Sequence, residues 1–191
     1  FLSMGVVMSA TASLDWVGQL CGCQVPDLDA EATAFIAAEG PATAPVFLPS
    51  LTGIRTPLNR PGMTGRMSGL HPGVTPAMLA YATMEGVAFQ FADCIAAQQE
   101  VGARPDHFTV VGGGTRSPLW LMLLATALDR SISLIDGADL AGPRGAARLA
   151  ATAAGAPLSV LREPVAVTCV IPPDPTLSGA MALRREAMQA L

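Results

Sequence analysis

The chain has 191 residues, 51% of them apolar and only 14% charged, with a net charge of -4. That length suits one domain or one lobe of a larger protein, and the apolar excess excludes a disordered chain. All 11 basic residues are arginine, which removes a P-loop lysine and Schiff-base chemistry, and the negative balance gives no electrostatic footing for nucleic acid or an anionic membrane.

Taken in order, Phe1 to Ala12 is apolar but lacks a positively charged start, so it does not read as a secretory signal. With no initiating methionine, the chain is expected to begin inside a longer protein. Val6 to Leu20 reads as a helix burying Val7, Leu14, Val17 and Leu20. Cys21-Gly22-Cys23 is too tightly spaced for a zinc knuckle, and four cysteines in an apolar chain of this size read as buried thiols of a reducing cytosol. A second helix is expected over Asp27 to Glu39, with Pro26 before it, acids in its first turn and Gly40-Pro41 after it. Val46 to Leu48 reads as a strand. Pro49 to Val74, rich in Gly, Pro, Thr and Asn, reads as one long irregular segment.

Thr75 caps and Pro76 opens a helix to about Val101, with Met84, Ala88, Phe91 and Ile95 on one face and Gly102 at its end. Phe108 to Val111 is a strand that runs into Gly112-Gly113-Gly114. Ser117 and Pro118 then start a helix to about Asp129, and Ile132 to Ile135 is the next strand. Gly142-Pro143 opens a helix over Gly145 to Ala154, closed by Gly155. Val165 to Ile171 is an edge strand, and about Thr176 to Leu191 a short amphipathic helix. The longest dense apolar run, Leu119 to Leu128, is half the ~20 residues of a membrane span. The order helix–strand–glycine turn–helix–strand–helix is an α/β layer pattern with a parallel element.

A strand ending in three glycines and feeding a helix lets a ligand lie against bare backbone, and the helix N–H groups favour an anion such as phosphate. The same turn also serves simply to pack strand on helix. Gly112-x-Gly114 with Asp136 at the end of the next strand partly matches a dinucleotide fingerprint, although Ser117 holds the third glycine position. Trp16 and Trp120 read as core. His71 reads as a turn residue, His107 as surface and Arg184-Arg185 as a solvated helix face. Glu85 and Asp93 read as helix acids, solvated or, for Glu85, hydrogen-bonded in packing. Asp129, Asp136 and Asp139 read as helix-end and turn residues. No metal ligands stand out.

Five blocks, in order, resemble the FGGY carbohydrate kinases, most closely their xylulokinase branch. They are Ser9 to Trp16; Phe47-Leu48-Pro49-x-Leu51-x-Gly53-x-Arg55-Thr56-Pro57; Gly65-x-Met67-x-Gly69-Leu70 with Ala82-Thr83-Met84-Glu85; Gly112 to Ser117 with Trp120; and Gly145 to Ala150. Met78 and Ile54 depart from the family pattern. The resemblance implies the second, actin-like and ribonuclease-H-like lobe of a two-lobed sugar kinase, truncated at its N-terminus, with a core over 1–155 and a terminal strand and helix over 156–191. It implies ATP with Mg2+, bound through Gly112, Gly113, Gly114, Ser117 and Asp15, and a sugar bound mainly by the first lobe. Arg55 and Thr56 are expected at the side of the cleft between the lobes. No catalytic residue is expected here, because the segment bearing the aspartate base is absent. ATP, a sugar of the D-xylulose type and a second copy of the chain are the expected partners, in the cytoplasm, with no nucleic acid or membrane. A dinucleotide-binding module of an oxidoreductase and a non-catalytic dimerisation fragment are the alternatives.

Overall fold

A computed structural model describes residues 2–191. The first helix, α1 (Ala10–Cys21), starts later than its periodicity suggests. Val6 instead exchanges backbone groups with Thr56: its N–H donates to Thr56 Oγ1 at 3.0 Å, and its carbonyl accepts from the Thr56 N–H at 3.3 Å. Satisfied by that loop, this segment has no need of helical partners. Ser13, Leu14, Val17 and Gly18 are buried, whereas Val7 is half-buried and Leu20 exposed. Gly22, with φ 69°, ends the helix in the left-handed region. Helix α2 (Val25–Glu39) begins two residues before the expected Asp27 and buries Leu28, Ala32 and Phe35.

Strand β1 (Val46–Leu48) is where it was expected. Its antiparallel partner β2 (Arg66–Ser68) lies inside the stretch read as irregular, with Val46 opposite Ser68 and Leu48 opposite Arg66. Arg-Met-Ser carries no strand signal of its own, and the pairing makes it one. Helix α3 (Pro76–Glu100) opens as anticipated, Thr75 Oγ1 accepting the Met78 N–H at 3.3 Å. It runs through the middle of the molecule, and every residue from Ala80 to Gln90 is buried. The expected one-sided stripe is therefore too narrow near Ala80 and too generous further on, where Phe91 is 37% exposed.

A three-stranded sheet follows, in the order β3 (Thr109–Val110), β4 (Ile132–Ile135), β5 (Val167–Ile171). Strand β3 is parallel to β4, pairing Thr109 with Ser133, while β5 is antiparallel and forms an exposed edge. Helices α4 (Pro118–Leu128), α5 (Ala141–Ala153) and α6 (Pro175–Gln189) complete the chain. Tyr81, Met84, Phe89, Leu28, Leu123, Met181 and Met188 form the main core. Trp120 joins it, but Trp16, read as core, is 36% exposed and leans on Phe47 with ring centroids 6.0 Å apart.

Arg184 and Arg185 are not a solvated face. Arg184 donates through Nε and Nη2 to both oxygens of Glu85 at 2.8–2.9 Å, and through Nη1 and Nη2 to the carbonyls of Pro41, Ala44 and Pro45. All five guanidinium protons are thus placed. Tyr81 Oη donates to Glu85 at 2.8 Å, and the Arg184 side chain lies 5.7 Å above the Tyr81 ring. Arg185 holds Asp93 at 2.6 Å, so that acid is not solvated either. No helix among the described residues is long and apolar enough to cross a membrane.

Candidate functional site

Strand β3 delivers the chain through Val111 and Gly112 into a 3-10 turn, Gly113–Arg116, and then into α4. Gly112 has φ 100° and ψ -179°, a region open in practice only to glycine. Its N–H donates to the Ala138 carbonyl at 2.9 Å, which ties the turn to the segment after β4. The Thr115 hydroxyl donates back to the Gly112 carbonyl at 2.7 Å. Gly113 and Gly114 occupy the first positions of the turn, where the turn itself supplies no acceptor for an N–H. A methyl at Gly114 would only touch Thr11 and Trp120 at 3.7 Å, so packing does not demand its bareness.

The first amides of α4 are largely spoken for. Pro118 has none, the Trp120 N–H goes to Ser117 Oγ at 3.0 Å, and the Leu121 N–H goes to the Ser117 carbonyl at 3.1 Å. Backbone donors for an anion are therefore more available at Gly113 and Gly114 than at the helix start that the sequence pointed to. The Ser117 hydroxyl proton is donated to Asp29 Oδ1.

These residues converge on a depression of about 570 Å³. Thr11 and Asp15 come from α1 and Asp29 from α2; Gly113, Gly114, Arg116 and Ser117 come from the turn. Four of the five expected contacts therefore share one hollow. Gly112 does not line it; it borders an apolar groove of about 410 Å³ with Phe91, Ile95 and Val110. Asp136 does not line it either, and its carbonyl and carboxylate face Arg144 at 2.7 and 3.6 Å. Sequence reasoning missed Arg116 and Asp29. Arg116 stood within the glycine motif and was legible as the nearest cation, whereas Asp29 lies 88 residues from Ser117 and carried no signal.

Away from the hollow, burial pushes the Glu85 carboxyl up from its usual range, and the Arg184 guanidinium and the Tyr81 hydroxyl pull it back. Burial, and then the charge of Glu85, push the Tyr81 hydroxyl up. This network ties α6 to α3 and to the carbonyls of Pro41, Ala44 and Pro45. His71 is a turn residue, its Nδ1 accepting the Gly73 N–H at 3.2 Å. Among the described residues no three His, Cys, Asp or Glu side chains come together to hold a metal.

Layered helices and sheet, with a bare glycine turn opening on a hollow between helices, are shared with solved sugar kinases of the actin-like ATPase fold. The crystal structure of a "xyloylose kinase" from Brucella ovis matches 98% of the chain and 38% of its own, with a TM-score of 0.82 and 34% identity. Residues 1–154 match the C-terminal domain of the FGGY family of carbohydrate kinases, and the chain belongs to that family. Xylulose kinases of Escherichia coli (strain K12) and Klebsiella pneumoniae are each 38% identical to it, over 83% and 77% of this chain. The chain spans only 32% and 30% of those two relatives.

Proposed function

We propose that residues 1–191 form the ATP-binding lobe of a sugar kinase that converts D-xylulose to D-xylulose 5-phosphate, with the catalytic base outside this chain. The observation that carries this reading is the meeting of Asp15, Gly113, Gly114 and Ser117 on one hollow, in a chain of this family. The hollow fits a nucleoside triphosphate. Two bare amides and Arg116 suit phosphate oxygens, and the Asp15 carboxylate suits the hydroxyl or amino donors of the nucleoside. Magnesium would arrive with the nucleotide, held by its phosphates and by water rather than by a cage of side chains from this chain, and would supply charge neutralisation. In the reaction the bond between the γ-phosphorus and the ADP oxygen breaks. A bond to the sugar hydroxyl forms, and an aspartate takes the hydroxyl proton. This lobe contributes positioning.

Titration calorimetry with Mg-ATP and with NAD tests the reading. Mg-ATP is expected to give binding heat, weakened about tenfold or more by Gly114→Ala because the methyl intrudes where the ligand must approach. Heat with NAD alone would defeat it in favour of a dinucleotide module. In a coupled assay for ADP, this chain alone is expected to give no D-xylulose-dependent turnover, and turnover would overturn the placement of the base outside it. The apolar groove beside β3 favours a second reading, self-association, which sedimentation of a clean monomer would rule out.

A further inference from the structure

The Ser117 hydroxyl has one proton and two lone pairs. The proton goes to the Asp29 carboxylate, and one lone pair takes the Trp120 N–H at 3.0 Å. What remains for the hollow is a lone pair alone. Asp29 imposes that assignment, because a carboxylate accepts and cannot donate, and a hydrogen bond to an ionised partner outweighs a neutral one. The Asp15 carboxylate lies in the same hollow, together with Arg116 and the Gly113 and Gly114 amides. A ligand lying here meets the Asp15 acceptor from α1, the Ser117 lone pair and donors from the turn.

We infer that Asp29 is a specificity-determining residue that acts through Ser117. By fixing the hydroxyl as an acceptor, it selects a neutral N–H or O–H donor on the nucleoside half of the nucleotide and rejects a phosphate oxygen or a base carbonyl at that point. The inference rests on the nucleotide reading above. Two groups of ATP have this chemistry, the amino group of adenine and the ribose hydroxyls. An acceptor placed there instead sets lone pair against lone pair and leaves both unsatisfied.

Dissociation constants of Mg-ATP, Mg-ITP and the 2′-fluoro and 3′-fluoro analogues of Mg-ATP, measured on the wild-type chain and on Asp29→Ala, test this. ITP replaces the amino group by a carbonyl, and fluorine replaces a hydroxyl by a non-donor of similar size. The wild-type chain is expected to prefer ATP over ITP or over a fluoro analogue by about tenfold. In Asp29→Ala that ratio falls towards one, because the freed hydroxyl can turn and donate. In Ser117→Ala, which keeps Asp29, it falls as well. A ratio retained in Ser117→Ala means that Asp29 meets the ligand directly and overturns the inference. The analogue whose ratio collapses identifies the donor as base or ribose. Asp29→Asn, which keeps the shape and whose amide can accept from or donate to the hydroxyl, is expected to give an intermediate ratio, and it serves if the alanine variant does not fold. A purely structural Asp29 would weaken all ligands alike and leave the ratios untouched. That result, or a wild-type chain with no preference, overturns the inference while the nucleotide reading stands. A wild-type chain that binds none of the four overturns both.

Discussion

Gly112 and Gly114, two residues apart, differ in what a side chain would cost the fold. Gly112 sits where only glycine is at ease, and alanine there is strained by about 1–3 kcal/mol. Gly114 has room for a methyl and no positive φ, so alanine is expected to change stability by no more than ~0.5 kcal/mol while impairing nucleotide binding. Urea denaturation of the two variants separates folding from binding, and equal destabilisation would refute the distinction. Arg184 offers a second contrast. Removing it strands a buried carboxylate, at a cost of about 3–5 kcal/mol. Arg184→Ala also takes away the hydrogen bonds and charge that hold the Glu85 pKa down and leaves the burial that raises it. A pKa raised in the folded state means stability fully present below the ordinary carboxylate range and lost as pH rises through the folded value. The variant is therefore expected to recover part of its deficit as pH falls towards the ordinary carboxylate range. A deficit that grows in acid would contradict this account. The sequence showed two adjacent arginines but not their partners, which lie 92 and 99 residues away.

At the scale of elements, local chemistry was legible and long-range pairing was not. The Thr75-Pro76 and Ser117-Pro118 starts and the strand at Val46 could be read because each depends on neighbours in sequence. Strand β2 and the non-helical Val6 could not, because their partners come from distant loops. The hollow was half legible: its glycines and Ser117 form a contiguous motif, while the wall of α2 arrives only on folding. The Ala82 to Glu85 block has a structural reason in Glu85 and in the glycine that follows. A Cβ on Gly86 would stand 2.3 Å from the Phe47 carbonyl oxygen and 2.9 Å from Pro49 Cδ, so α3 can touch the segment of β1 only with glycine there. Gly86→Ala is expected to cost about 3 kcal/mol, and to lower the melting temperature by roughly 10 °C. A melting temperature unchanged within error would show that the backbones separate freely.

For the molecule as a whole, the family match ends at residue 154, yet the core does not. Leu177, Met181 and Met188 of α6 are buried in the same cluster as Tyr81, Met84 and Leu123, and Arg184 of α6 is the partner of Glu85. Three such side chains contribute about 2 kcal/mol each by burial. A stranded Glu85 adds about 3–5 kcal/mol of penalty. Together these approach the entire stability of a typical domain, about 5–15 kcal/mol. A chain ending at Pro172, which keeps β5 and removes only α6, is thus expected to lose its cooperative thermal transition and to bind a hydrophobic dye. In that case the helix is part of the lobe's fold and not an appendage. A cooperative transition within a few degrees of the full chain's, with no dye binding, would mean instead that α3 and α4 close over the vacated face by themselves.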